Sequence, residues 1–454
     1  MAIESRNPAT GELVATFAAL DWPAVDGRLQ RAADAFHTWR LTPIAERARV
    51  LARAADRLEA DAPRLGRLMT LEMGKLVKPA QDEILKCARG CRYYAEYGPA
   101  FLEDEVVATD ASRSYVRYEP MGAVFAIMPW NFPFWQVFRF AAPALVAGNV
   151  ALLKHAPNVP QCALAIEEVF TAAGLPPGVF QSLLIELDHV PAILEDPRVH
   201  AVTLTGSDRA GRDVAARAGR ALKKSVLELG GSDPFIVTPS ADLDLAVSTA
   251  VRSRIINTGQ SCIAAKRFIV LDAIADAFTP RFVAAMAALR VGDPMDPATE
   301  VGPMARQDLV DALAAQVQDA IARGARVLTG GLPDARDRCF YPPTVLADVP
   351  RDARAYREEL FGPVATVFRA RDLDEAIAIA NDTPYGLGAS VWTRDDADRD
   401  RAISGIAAGQ VFVNAMVASD PRVPFGGIKT SGYGRELGEA GIHEFVNIKT
   451  VWVA

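Results

Sequence analysis

Residues 199–231 read VHAVTLTGSDRAGRDVAARAGRALKKSVLELGG. The stretch opens on a run of apolar and β-branched residues, Val199–Thr205, and closes on a second such run, Ser225–Leu229. Between them lie the turn Thr205-Gly206-Ser207-Asp208-Arg209-Ala210-Gly211 and an Ala- and Arg-rich segment with helical character, Arg212–Ala218. Strand, glycine-containing turn, helix and strand within about thirty residues make a βαβ unit, whose two strands lie parallel in one sheet. Outward from it the same texture recurs, with Ala123–Met128, Val150–Leu153 and Val179–Leu184 upstream. Downstream follow Phe235–Val237, Arg267–Leu271, Arg326–Thr329, Ala365–Arg369, Ser390–Thr393 and Val411–Asn414. Short apolar runs alternating with helical segments predict an α/β protein with mostly parallel sheets, covered by helices on both faces. The turn cluster Gly230-Gly231-Ser232-Asp233 marks a boundary between two α/β halves.

Two regions depart from this pattern. The first hundred residues are helical in character over Ala24–Trp39, Pro43–Leu71 and Lys78–Tyr97, and their arginines read as solvated faces. The segment Ser112–Glu119 and the tail Phe445–Val453 alternate like strands outside any βαβ context. They are expected to pair with each other or with another subunit, or else to extend the main sheet.

Composition bounds the function classes. A chain of 454 residues, half of them hydrophobic (50%) and 23% charged, predicts two to four domains with a large core and excludes wholesale disorder. With 49 Lys+Arg against 56 Asp+Glu, the net charge of -7 argues against nucleic acid or an anionic membrane as the main partner. Met1–Thr10 has no signal-peptide character, and no apolar stretch approaches the roughly 20 residues needed to span a bilayer, so a soluble cytoplasmic protein is expected. Five scattered cysteines do not make a disulfide framework.

Four features carry chemistry. Cys262 ends the polar loop Asn257-Thr258-Gly259-Gln260-Ser261-Cys262, a setting suited to a nucleophile, although buried structural cysteines are common. Cys87 and Cys91 share a helix face without further ligands, so no metal is expected; Cys162 and Cys339 read as packed. Glu228, near the end of an apolar strand, is either paired with Lys223 or Lys224 or a general base whose pKa burial raises. Asn131, in Pro129-Trp130-Asn131-Phe132-Pro133, is either part of a rigid aromatic turn or an amide aimed at a developing oxyanion. The turn at 205–211 presents backbone N–H groups to phosphate, a weak signal alone, and Lys154 adds a cation at a strand's carboxyl edge.

In this order and combination the features resemble the aldehyde dehydrogenase superfamily over nearly the whole chain. The matching stretches are PWNFP at 129–133, LLK at 152–154, TGSDRAG at 205–211, LELGG at 227–231, NTGQSC at 257–262, EELFGPV at 358–364 and PFGGIKTSGYGRELG at 424–438. The resemblance implies an aldehyde dehydrogenase-like α/β fold: a Rossmann-type cofactor-binding domain (1–110 and 121–227), an α/β catalytic domain (228–420) and a small β oligomerisation arm (111–120 and 421–454). It further implies Cys262 as nucleophile, Asn131 with the Cys262 N–H as oxyanion site, and Glu228 as general base. Trp130, Lys154, Gly206, Ser207, Gly211, Glu359 and Phe361 would contact NAD or NADP. A homodimer or homotetramer acting on a small aldehyde follows, and a non-enzymatic scaffold is disfavoured by the intact Cys262, Glu228 and Asn131 set.

Within the superfamily the chain is most similar to the short bacterial succinate-semialdehyde dehydrogenases, through MGKL at 73–76, LLKHAPN at 152–158 and LELGGSDPFIV from 227. Arg139 and Ser419 match substrate-binding positions of that group. A second arginine and a lysine common there are replaced by Ile256 and Phe140, which leaves room for glutarate semialdehyde, neutral aldehydes or broad specificity. Pro157 stands where NAD-preferring members carry Glu, so NADP is not repelled; His155 beside it either assists or is structural. Ala264 replaces a second cysteine of some relatives, so no local redox switch is expected.

Overall fold

The computed structural model describes residues 2–333 and 338–454. Its first large sheet has six strands, in the order Gly432–Tyr433, Lys224–Glu228, Val199–Thr205, Ala123–Met128, Val150–His155 and Phe180–Ser182. Five are parallel, and Gly432–Tyr433 runs antiparallel along the edge. The second sheet has seven strands, in the order Arg326–Thr329, Thr344–Ala347, Val364–Ala370, Arg267–Leu271, Pro234–Val237, Gly388–Trp392 and Gln410–Val413. All its pairs are parallel except the outermost, Arg326–Thr329 with Thr344–Ala347. The strands read from the sequence are present, with Val179–Leu184 shortened to Phe180–Ser182. Thr344–Ala347 and the N-terminal hairpin Ala2–Arg6 with Leu13–Ala18 are strands that the sequence reading did not include.

Three long helices, Trp22–Trp39, Ile44–Met73 and Val77–Phe101, share one apolar core with the first sheet. The second and third form a hairpin at Gly74, whose φ of 78° ends the helix in the left-handed conformation glycine favours. Most of their arginines are solvated as expected. Arg47 is the exception: it is buried and donates from Nε to the carbonyl of Val146 at 2.8 Å, so it ties this hairpin to the next helix. Cys87, Cys91, Cys162 and Cys339 are buried free thiols.

The two strand-like outliers pair with each other. Arg113–Pro120 runs antiparallel to Val446–Val453 in register from Arg113 opposite Val453 to Pro120 opposite Val446, and Glu105–Val106 adds a short third strand. Val446–Val453 is an edge strand of this sheet and leaves Ile448, Trp452 and Val453 exposed. The preceding stretch does not join it. Gly432–Tyr433 lies on the first large sheet, and Phe425 and Glu436 exchange backbone hydrogen bonds beside it. Among the described residues no helix is long and apolar enough to cross a membrane.

Topology places the binding crevice. In the first sheet the chain runs from Ala123–Met128 outward to Val150–His155 and Phe180–Ser182, then returns to the other side with Val199–Thr205. Ligands bind at such a reversal, outside the carboxyl ends of the strands. Those ends carry Pro129–Pro133 and Gly206-Ser207.

Candidate active site

Cys262 follows the helix Leu243–Ile255 and a left-handed stretch, with φ of 53° at Asn257, 57° at Thr258 and 75° at Gly259. Such backbone costs about 1–3 kcal/mol per non-glycine residue and persists only where neighbours hold it. Here they do: Arg254 Nη2 donates to the Gly259 carbonyl at 2.7 Å, and Asn257 Nδ2 donates to that of Asn131 at 2.7 Å. Ala305 N–H donates to Gln260 Oε1 at 2.9 Å. A Cβ on Gly259 would lie 2.2 Å from the Gly362 carbonyl oxygen, so only glycine fits. Lys266, fully buried, donates from Nζ to the carbonyls of Ser261 (2.8 Å) and Cys262 (2.6 Å). The loop that carries the thiol is therefore rigid.

Asn131 is locked against it. Its Nδ2 donates to the Gln260 carbonyl at 3.0 Å, which occupies one of the two amide hydrogens. The turn that carries Asn131 is fixed from below by Glu83, whose Oε1 accepts from the N–H groups of Phe134 and Trp135 at 3.0 and 2.9 Å. Glu83 is in turn ion-paired with buried Lys75, whose ammonium lies 3.7 Å from the Phe132 ring centroid.

Trp130, Asn131, Gly206, Ser207, Cys262, Glu359 and Phe361 line one cavity of about 470 Å³. Trp130 and Phe361 meet edge to face, with centroids 5.8 Å apart. Glu359 Oε1 accepts from the Gly231 N–H and faces Lys266 Nζ, each at 3.1 Å; no donor among the described residues reaches Oε2. Cys262 is half-buried, and burial pushes its thiol up to about 12 against the pull of Lys266, with Glu359 adding to the rise. Glu228 closes the strand Lys224–Glu228 at 2% exposure, with both carboxylate oxygens unpartnered among the described residues. Burial holds its carboxyl well above the usual range; Arg139 opposes this and Glu436 reinforces it. The lysines proposed as its partners are occupied elsewhere: Lys224 pairs with Glu444 at 3.1 Å, and Lys223 donates to the Asp196 carbonyl at 2.5 Å. The Cys262 thiol and the anchored Asn131 amide thus line a cavity with polar groups left free, and the unpaired buried carboxyl of Glu228 is close enough for its charge to act on the thiol.

The family model for the aldehyde dehydrogenase family matches residues 1–451. The chain belongs to the aldehyde dehydrogenase family. It is 57% identical, over all of both chains, to succinate-semialdehyde dehydrogenase (NADP(+)) 1 of Mycobacterium tuberculosis. It is 54% identical, again over all of both, to a probable succinate-semialdehyde dehydrogenase (NADP(+)) of Synechocystis. Its fold matches the crystal structure of succinic semialdehyde dehydrogenase from Streptococcus pyogenes in complex with NADP+, with a TM-score of 0.97 at 36% identity over 99% of each chain.

Of the other residues predicted from the sequence of this aldehyde dehydrogenase, Lys154 and Gly211 are not among those lining the cavity. Lys154 is the penultimate residue of the strand Val150–His155; burial lowers its ammonium to about 8, and no acceptor among the described residues binds it. Ser207 caps the helix Asp208–Arg220 by accepting from the Ala210 N–H at 3.3 Å. Gly211 lies within that helix against Leu229, where a Cβ would sit 2.5 Å from Leu229 Cδ1, so a larger residue would have to displace that side chain. His155 does not assist as a cation. Its Nδ1 accepts from the Ala156 N–H at 2.9 Å, so Nε2 carries the proton to the Pro133 carbonyl, also at 2.9 Å, and burial lowers its pKa to about 4.

Arg139 and Ser419 are not among the residues lining the cavity. Arg139 is 3% exposed and ion-paired with Glu436, with Nη2 donating to Thr205 Oγ1 at 3.3 Å and its guanidinium over the Phe425 ring. The Arg139 guanidinium is thus held between Glu436, Thr205 and the Phe425 ring. Ser419 Oγ accepts from Trp135 Nε1 at 2.9 Å and from Lys86 Nζ at 2.7 Å. Sequence reasoning passed over Lys266, Glu436 and Lys86. Glu436 stands inside a matched motif, and Lys266 follows Cys262 by four residues; Lys86 carries no local signal, being one more cation on a long helix. Among the described residues no cluster of His, Cys, Asp and Glu has the makings of a metal site.

Proposed function

We propose that this enzyme oxidises succinate semialdehyde to succinate with NADP as the acceptor. The full-length identity of 57% to an enzyme of that name carries the reading, and the cavity's chemistry supports it. The free groups suit a dinucleotide: the unpartnered Lys154 ammonium, Glu359 Oε2, and the backbone of Gly206 and Ser207 at a helix N-terminus. Exposed Pro157 places no carboxylate where a ribose phosphate would be repelled. When bound, the oxidised nicotinamide supplies the two-electron acceptor that the chemistry needs.

The chain's own residues perform the rest. The deprotonated sulfur of Cys262 forms a bond to the aldehyde carbon, and the carbonyl electron pair moves onto oxygen. The second N–H of Asn131 and the Cys262 N–H meet that oxyanion, preorganised by the Gln260 carbonyl and by Lys266. Oxidation leaves the acyl group on sulfur as a thioester. Glu228, in its ionised form, takes a proton from water; the water oxygen attacks the thioester carbon, and the carbon–sulfur bond breaks to give carboxylate and thiolate. We place this machinery in a cofactor-binding part (1–110 and 121–227) and a catalytic part (from 228). The arm is the paired strands Arg113–Pro120 and Val446–Val453, whose exposed edge supports a homodimer or homotetramer.

Comparison of kcat/KM for succinate semialdehyde, glutarate semialdehyde and propanal with NADP and with NAD tests the reading. Succinate semialdehyde with NADP is expected to be best. A value no better than that for propanal refutes the substrate and favours broad specificity.

A further inference from the structure

The distal carboxylate of a semialdehyde needs a cation, and the two positions where relatives carry further ones hold Ile256 and Phe140, while Arg139 is already ion-paired with Glu436. Lys86 meets the need from a different element. It projects from the helix Val77–Phe101, half-buried, donates to Ser419 Oγ at 2.7 Å and lies 4.3 Å from the Trp135 ring centroid. An ammonium has three donors, and no carboxylate among the described residues lies within ion-pairing distance of this one. The nearby acids are committed: Glu83 to Lys75 and to the start of the helix Trp135–Ala147, Asp420 to Arg422 at 2.8 and 2.7 Å.

Through Trp135, Lys86 packs against a helix that also reaches the Cys262 cavity. Trp135 and Arg139 are one turn apart on the helix Trp135–Ala147 and so share a side. Arg139 reaches Thr205, which lines the Cys262 cavity, and its charge acts on Cys262, on Glu228 and on Lys86.

We propose that Lys86, oriented by Ser419 and the Trp135 ring, receives the distal carboxylate of the aldehyde. This rests on the carboxylated-substrate reading above and names the residue that selects for it. A carboxylate arriving there supplies the counter-charge that the site lacks, through a charge-assisted hydrogen bond. Burial, with Arg139 adding, lowers the Lys86 ammonium to about 8, while Glu83 from its own helix pulls upward, Arg89 pushes down, and Asp420 lies opposite. The cation is present below that pH and lost above it.

The test is the ratio of kcat/KM for succinate semialdehyde to that for propanal, in the full-length enzyme and in Lys86→Met, from pH 6.5 to about 9.5. Lys86→Met is expected to lower the ratio about 10- to 100-fold, the range for losing a charged hydrogen bond. Lys86→Arg should restore much of it, and Lys86→Gln, which keeps a donor to Ser419, should not. In the parent the ratio should decline above pH 8, and in Lys86→Met it should be flat. Equal losses for both aldehydes mean a structural role and overturn the proposal, as does a preference that survives in Lys86→Met. A parent without any preference overturns the substrate reading itself, and the assignment of Lys86 with it.

Discussion

Replacing Lys266 by Met removes a buried cation that touches both the backbone of Cys262 and the carboxylate of Glu359. Breaking a buried ion pair by deleting one partner costs about 3–5 kcal/mol, because the other charge is left uncompensated. The cost depends on pH. Burial already raises the Glu359 carboxyl above its usual range with Lys266 the largest opposing influence, so the variant should bind a proton there more readily still. A carboxyl with a higher pKa folded than unfolded makes the native state bind more protons, so stability falls as pH rises through that window. Urea unfolding should therefore show the larger deficit at pH 8 and a smaller one at pH 5. Lys266 is also the largest charge holding the Cys262 thiol down. Its loss should slow iodoacetamide labelling of Cys262 at pH 8, about tenfold for each unit by which the thiol rises while little thiolate is present; the other four cysteines are buried and leave a clean signal. Unchanged unfolding midpoints together with unchanged labelling would refute the reasoning that Lys266 couples these groups.

Three further outcomes follow from the same geometry. Asn131→Ala should lower kcat about 10²–10³-fold, the usual cost of one oxyanion donor, and steady-state kinetics on a folded variant would show otherwise if the amide only packs. Pro157→Glu should shift the NADP-to-NAD ratio of kcat/KM about tenfold toward NAD, a ~1.4 kcal/mol effect of setting a carboxylate against a ribose phosphate; an unmoved ratio places the phosphate elsewhere. Deleting 446–454 strips the partner from Arg113–Pro120 and should yield monomers or aggregate by sedimentation, whereas an intact oligomer would move the interface off this arm.

Much of the fold was legible in the sequence because its signals are local. Val199–Thr205, Ala123–Met128 and Arg267–Leu271 appear with the limits their patterns suggest, since buried parallel strands are short apolar runs closed by turns. The edge strand Gly432–Tyr433 was not legible: two residues show no periodicity, and their strand character comes from Leu227 and Glu228 opposite them. The paired outliers were readable as strands, but their mutual register was decided in three dimensions.

The candidate site divides the same way. The motifs around Cys262, Glu228 and Asn131 were visible because each is a turn or strand end whose residue types are unusual for structure alone. Their charge states were not. Whether Glu228 is paired with a lysine, whether Arg139 is a free cation and whether His155 carries charge depend on what lies within a few ångströms, and those neighbours come from distant parts of the chain. Glu436 reaches Arg139 across the fold, and Ser419 meets Lys86 from 333 residues away. The amino-acid sequence by itself determined the order of strands and helices and the set of reactive groups, because local sterics and hydrophobic periodicity suffice for that. Only the tertiary structure decided which of those groups are left unpaired, because burial and Coulomb interactions act through space and not along the chain.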